Sequence, residues 1–147
     1  MKKMVLVTAL IVIVSAKLMA QKAEVFSNSS RAISGYDPVA YFKEGRGVKG
    51  SKAFTTKWND ATWYFSSKQN LDSFVKSPQK FAPQYGGYCA YGMSDGHKAP
   101  TDPAAWTIVN GKLYLNYSLK VKEYWNKEQQ ERIKKADDYW PELKNKE

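Results

Sequence analysis

The run "AWTIVNGKLYLNYS", residues 105–118, constrains the fold more than any other stretch of this chain. Two alternating apolar runs meet at Asn110-Gly111, the preferred pair for a two-residue type I′ hairpin turn, because both central positions need a positive φ. The register that follows sets Ile108 opposite Leu113 and Trp106 opposite Leu115, which makes one face of the hairpin wholly apolar. That face has to be covered. The expected cover is a helix from about Val121 to Asp137, ended by Pro141, in which Val121, Tyr124, Trp125, Ile133 and Ala136 approximate one stripe among lysines and glutamates.

Upstream, "AISGYDPVAYF" predicts a helical turn starting at Pro38 and capped by Asp37. "KEGRGVKGSK" places Gly45, Gly47 and Gly50 within six residues and reads as an exposed loop. "AFTTKW" and "ATWYFSS", separated by Asn59 and Asp60, read as a second hairpin with Trp63 and Phe65 on one face. "SSKQNLDSFVKSP" predicts a short helix capped at Ser66 or Ser67, stopped by Pro78, with Leu71, Phe74 and Val75 on its packed side. The expected class is α+β, a small antiparallel β-sheet of hairpins packed against short helices and one longer C-terminal helix.

At the N-terminus, two lysines precede an unbroken apolar run from Met4 to Val14 and then small residues. This is the pattern of a signal peptide, residues 1–20, with cleavage after Ala20. The run is too short for a permanent membrane span. A flexible lead is expected over 21–32 and one domain over 33–143, and the exported chain would be periplasmic or secreted. Loss of Lys2, Lys3 and Lys17 takes the formal charge from +9 to +6. That surplus favours solubility and weak contact with anionic lipid, while the absence of a compact basic block argues against nucleic acid as a partner.

Between Pro83 and Pro103, "PQYGGYCAYGMSDGHKAPTDP" holds Cys89, Met93 and His97, the only cysteine, methionine and histidine outside residues 1–20. Thiolate, thioether and imidazole together suit Cu(I), which soft sulfur donors select. Zinc fits less well, because a closed site needs four ligands and would have to recruit Asp95 or Asp102. Four residues of extended chain span roughly 13 Å, so the three donors meet on one ion only if the loop curls back. Alternatively Cys89 is a buried thiol, Met93 fills a gap and His97 is exposed beside Lys98. A third arrangement makes Cys89 a nucleophile with His97 as base and Asp37 or Asp102 to orient the ring, although no signature of a thiol hydrolase surrounds Cys89. Trp58, Trp63, Trp106, Trp125 and Trp140 either form core or line a ligand groove.

"GYDPVAYF", "WYFSS", "FAPQYGGYCAYG", "DPAAW", "GKLYLNYS" and "ADDYWPEL" occur in that order. Together they resemble the exported bacterial branch of the YHS-domain family, over roughly Ile33 to Leu143. YHS domains occur alone and attached to copper-transporting ATPases and some hydroxylases, and the resemblance implies a domain that handles metals rather than an enzyme. The metal-handling relatives carry extra cysteines beside the strand-to-helix junction, where this chain has Ser66 and Ser67. Cys89 is what this branch offers in their place. The functional expectation is binding or buffering of a soft transition metal, with Cys89 as the thiolate ligand and Met93 and His97 as further donors. The alternative is a small-molecule or protein-binding module with a structural cysteine and a pocket formed by the tyrosine loop.

Overall fold

The computed structural model describes residues 23–146. The signal-peptide expectation, residues 1–20, lies outside them. Among the described residues the strands pair as three two-stranded antiparallel sheets, with helices filling the spaces between, which is the α+β arrangement expected. No described helix is long and apolar enough to cross a membrane.

Residues 23–32 belong to the segment expected to be a flexible lead; of these, Val25 and Ala32 are buried and Ser27 to Arg31 are exposed. A short hairpin joins β1 (Ser27–Asn28) to β2 (Arg31–Ala32). Helix α1 (Pro38–Lys43) follows, with proline at its first position and Asp37 as its cap. Strands β3 (Ser51–Trp58) and β4 (Ala61–Phe65) form the hairpin expected around Asn59 and Asp60, both of which hold the positive φ of a type I′ turn. Trp63 and Phe65 are buried on one face of it. Helix α2 (Lys68–Lys76) is capped by the Ser67 side chain and closed at Ser77, and the separate short helix α3 (Pro78–Phe81) takes Pro78 as its first residue. Phe74 is fully buried, but Val75 is 59% exposed, which corrects its expected place on the packed side. At 100° per residue, Val75 turns away from the β3–β4 hairpin once Phe74 points straight into it.

Helix α4 (Ala90–Ser94) lies within the tyrosine-rich loop. Strands β5 (Trp106–Val109) and β6 (Lys112–Leu115) then pair in the expected register, Ile108 with Leu113 and Trp106 with Leu115. Their cover differs from expectation. The Ile108, Leu113, Leu115 and Trp106 face packs into a first apolar cluster with Val39, Trp63, Phe65, Phe74 and Phe81. The opposite face, through Val109 and Tyr114, packs into a second cluster with Trp125, Ala136, Tyr85 and Met93. Both faces of the hairpin are therefore used. Of its outer residues only Lys112 is charged, so that face has enough apolar area in Tyr114 and Val109 to hold the terminal helices.

The terminal helix is also two helices, α5 (Leu119–Lys127) and α6 (Gln129–Leu143). Glu128 leaves helical geometry with φ −126° and ψ 29°. Pro141 does not end α6 but sits in its last turn, two residues before the end. The break turns α6 along α4, where Arg132 joins the two helices. Its guanidinium lies 3.9 Å from the centre of the Tyr91 ring and donates to the Tyr91 hydroxyl, to Ser94 Oγ and to Asp95 Oδ1. Tyr124, expected in the packed stripe, is 44% exposed, whereas Trp125 and Ala136 are buried.

One carboxylate ties the first cluster together. Asp37 is fully buried, and its Oδ1 accepts from the backbone N–H groups of Val39 (2.9 Å) and Ala40 (3.2 Å). Its Oδ2 accepts from Ser66 N–H, Ser66 Oγ–H and Asn70 Nδ2–H, each at 2.8 Å. The start of α1, the end of β4 and the first turn of α2 are thereby fixed to one group. Asp37→Ala leaves these buried donors unpaired, so we expect a loss of about 3 kcal/mol or more in unfolding free energy, measured by urea denaturation.

Candidate functional site

The three soft donors are separated by helix α4. Cys89 is its cap: the sulfur accepts from Gly92 N–H at 3.4 Å and from Tyr117 N–H at 3.2 Å, and the thiol faces Asn116 Oδ1 at 3.6 Å. A serine in that place would be the ordinary cap; a thiol makes the same bonds at the longer distances sulfur requires. Asn116, buried at the end of β6, accepts at the same oxygen from Tyr91 N–H at 3.0 Å. The Cys89 side chain thus links the start of α4 to the chain leaving β6. Cys89 is 2% exposed, and burial pushes its thiol pKa up, partly offset by the N–H groups of Gly92 and Tyr117. That environment favours the neutral thiol over the thiolate.

Met93 lies one turn further along α4 and points into the second cluster. His97 follows the turn at Asp95 and Gly96 and is exposed; its Nε2 lies against Gly92, 3.2 Å from where a Cβ would stand. Among the described residues no group of three or more histidine, cysteine or acidic side chains is gathered as metal ligands would be. Asp37 is held in the first cluster, and Asp102 is exposed with its Oδ1 accepting from Ala104 N–H at 2.9 Å.

A concave feature lies elsewhere, where the two apolar clusters meet. A cleft of about 210 Å³ opens between the tip of the β3–β4 hairpin, the Pro83–Gly86 segment and the C-terminal part of α6. Two pairs of tilted rings border it. From the first cluster come Trp58 and Trp63, with centroids 6.0 Å apart; from the second come Tyr85 and Trp140, 6.1 Å apart. Trp63 donates its indole N–H to the Trp58 carbonyl at 3.0 Å, and Tyr85 donates its hydroxyl to Asp137 Oδ1 at 2.8 Å. These bonds hold the inner ring of each pair, while the outer rings, Trp58 and Trp140, remain partly exposed. Asn59, Gln79, Gln84 and Glu24 supply the polar part of the lining.

The floor of the cleft depends on a close backbone approach. Residues 85–87 all have positive φ, and the chain from Glu24 to Phe26 crosses directly over Gly86, with Phe26 N–H donating to Gly86 O at 2.9 Å. A Cβ on Gly86 would stand 1.8 Å from the Glu24 carbonyl oxygen. The "YGG" of the tyrosine loop is therefore a crossing point, and only glycine permits it.

Of the five tryptophans, Trp63 and Trp125 are core and Trp106 stacks at 5.5 Å on Tyr41; Trp58 and Trp140 divide their surface between core and cleft. Glu24, Asn59, Gln79 and Gln84 carry no motif and were not foreseeable as one site. No protein-family model, curated protein or solved structure matches this chain.

Burial raises the pKa of Tyr41 and of Tyr85 as well as that of Cys89, the Asp137 acceptor adding to the effect at Tyr85. Groups whose folded pKa lies above the unfolded one stabilise fully below the unfolded value and lose that contribution as pH rises through the folded value. Unfolding free energy should accordingly begin to fall above about pH 8.5, where the unfolded thiol ionises, and fall more steeply above about pH 10, where unfolded tyrosine does. Urea denaturation across that range checks this, and Cys89→Ala should lack the first stage. Gly86→Ala should lower stability by at least about 2 kcal/mol in the same assay, since it combines an unfavourable φ with a backbone overlap.

Proposed function

We propose that this chain is an exported binding module of the YHS type that takes a small molecule in the aromatic cleft, with Cys89 as a structural cap rather than a ligand. The observation that carries this reading is the cleft itself: four rings from two separate clusters border a recess with three amide residues in its lining. Largely apolar walls with a few polar groups are the usual make-up of small-molecule sites. At about 210 Å³ the cleft has room for a small molecule or for one end of a larger one. Export rests on the pattern of residues 1–20, and the YHS assignment on the six motifs quoted above.

The soft-metal reading has one specific support. Cys89 and Met93 are one helical turn apart at the start of α4, so a modest movement of that short helix would bring two sulfurs toward one Cu(I). It requires the thiol to give up the bonds to Gly92, Tyr117 and Asn116.

A single set of experiments separates the two. Wild type, Cys89→Ser and Trp140→Ala are compared for Cu(I) retention against a chelator and for thermal stabilisation by a panel of sugars, nucleosides, amino acids and amines. We expect Cys89→Ser to lower the melting temperature without changing Cu(I) retention, and Trp140→Ala to abolish whatever ligand-induced stabilisation wild type displays. Stoichiometric Cu(I) held by wild type and lost in Cys89→Ser would replace the cleft reading with the metal one.

A further inference from the structure

The charge of the cleft is out of keeping with the rest of the chain. The protein has 23 lysines and arginines against 14 acidic residues, yet none of the twelve described residues lining the cleft is basic. The only acidic side chain among them is Glu24. A site for a phosphate or carboxylate would draw on the side chains this sequence has in excess, because charge-assisted bonds from lysine or arginine are the strongest available to an anion. Here the lining offers ring faces, amides and one carboxylate.

From this we infer that the cleft selects a small organic cation, an alkylated ammonium headgroup held against the Trp58 and Trp140 rings with Glu24 as its counter-charge. The inference rests on the cleft being the binding site. An indole face carries the negative side of the ring quadrupole and attracts an ammonium within about 6 Å of its centre, tryptophan being the best of the aromatic residues for this. The two ring pairs are tilted by 56° and 68°, so the bordering faces point in several directions instead of forming one flat platform. A roughly spherical headgroup meets such walls better than a flat sugar ring, which needs a single extended face. Finally, the recess of about 210 Å³ is ample for a headgroup of several carbons around one nitrogen.

Alkylation matters as well as charge. A simple ammonium ion keeps strong hydrogen bonds to water, and entering a ring-lined recess sacrifices them. Methyl groups on nitrogen remove those bonds beforehand and add apolar surface, so a quaternary headgroup gains where a primary amine of the same charge does not. The amides of Asn59, Gln79 and Gln84 in the lining offer hydrogen bonds to a polar tail on such a headgroup.

The test is a titration of the purified protein, followed by tryptophan emission at constant ionic strength, with choline chloride, tetramethylammonium chloride, ammonium chloride and dimethylbutanol, the uncharged carbon isostere of choline. The isostere fills the same volume without the charge, so the comparison is made on wild type and needs no variant to fold. Choline and tetramethylammonium should saturate the signal, with dimethylbutanol and ammonium weaker by about tenfold or more. Trp58→Phe and Trp140→Phe should weaken choline binding, and Glu24→Gln should weaken choline but not dimethylbutanol. If dimethylbutanol binds as tightly as choline, the cation preference is overturned while the cleft stands as a small-molecule site. If choline produces no saturable change while a neutral or anionic compound from the wider panel does, the ligand class is overturned and the cleft again stands. If choline binds and Trp58→Phe, Trp140→Phe and Glu24→Gln all bind it as wild type does, the cation is held elsewhere, and the assignment to this cleft falls.

Discussion

The five hydrogen bonds to Asp37 are the constraint on which the first half of this fold depends. Helix α1 and the junction from β4 to α2 arrive from separate parts of the sequence, and each presents backbone or side-chain donors that burial would otherwise leave unpaired. One carboxylate accepts all of them. Once these three elements are fixed, Trp63, Phe65 and Phe74 are brought ring to ring, with centroids 5.1 to 5.2 Å apart around Phe74, and the apolar face of the β5–β6 hairpin has a surface to close on. The second half repeats the principle in smaller form. The Asn116 side chain, held by the Tyr91 N–H and the Cys89 thiol, joins α4 to the exit of β6.

What was legible in the sequence divides along the line between local and distant causes. The hairpin turns at Asn59-Asp60 and Asn110-Gly111, the caps at Asp37 and Ser67 and the cross-strand register are written in neighbouring residues, and all are present. The break at Glu128 is not, because "WNKEQQ" contains neither glycine nor proline; the bend follows from the position of α4, which Arg132 has to reach. Conversely Pro141 reads as a helix stop and is tolerated in the last turn of α6, where few hydrogen bonds remain to be lost. The choice of hairpin face for the terminal helices was equally hidden. Alternation marks the Trp106, Ile108, Leu113 and Leu115 side as apolar, while Tyr114 and Val109 give the other side enough area to matter.

Cys89, Met93 and His97 illustrate the same limit at the level of the site. Nine residues of sequence make them neighbours, yet a helix of five residues between Cys89 and Asp95 sends one to a cap, one into the core and one to the surface. The cleft has the opposite property. Its parts are drawn from Glu24 to Trp140, so no window of sequence contains it. It exists because two apolar clusters, each closely packed within itself, share the β5–β6 hairpin as a wall and do not interlock beyond its edge.

Lys98 joins the first and the last of the described segments. Buried beside the Tyr88 ring, its ammonium donates to the carbonyls of Lys144 and Lys146, at 2.9 and 2.8 Å, and lies 3.4 Å from the carbonyl of Ala23, which also accepts from the Tyr88 hydroxyl. Residues more than 120 positions apart thus share one cation, as a ring shares its clasp. Peeling away either of these segments exposes the charge that secures the other, so the two are thermodynamically joined. Within the described residues the first and last segments thus close a loop without a covalent bond.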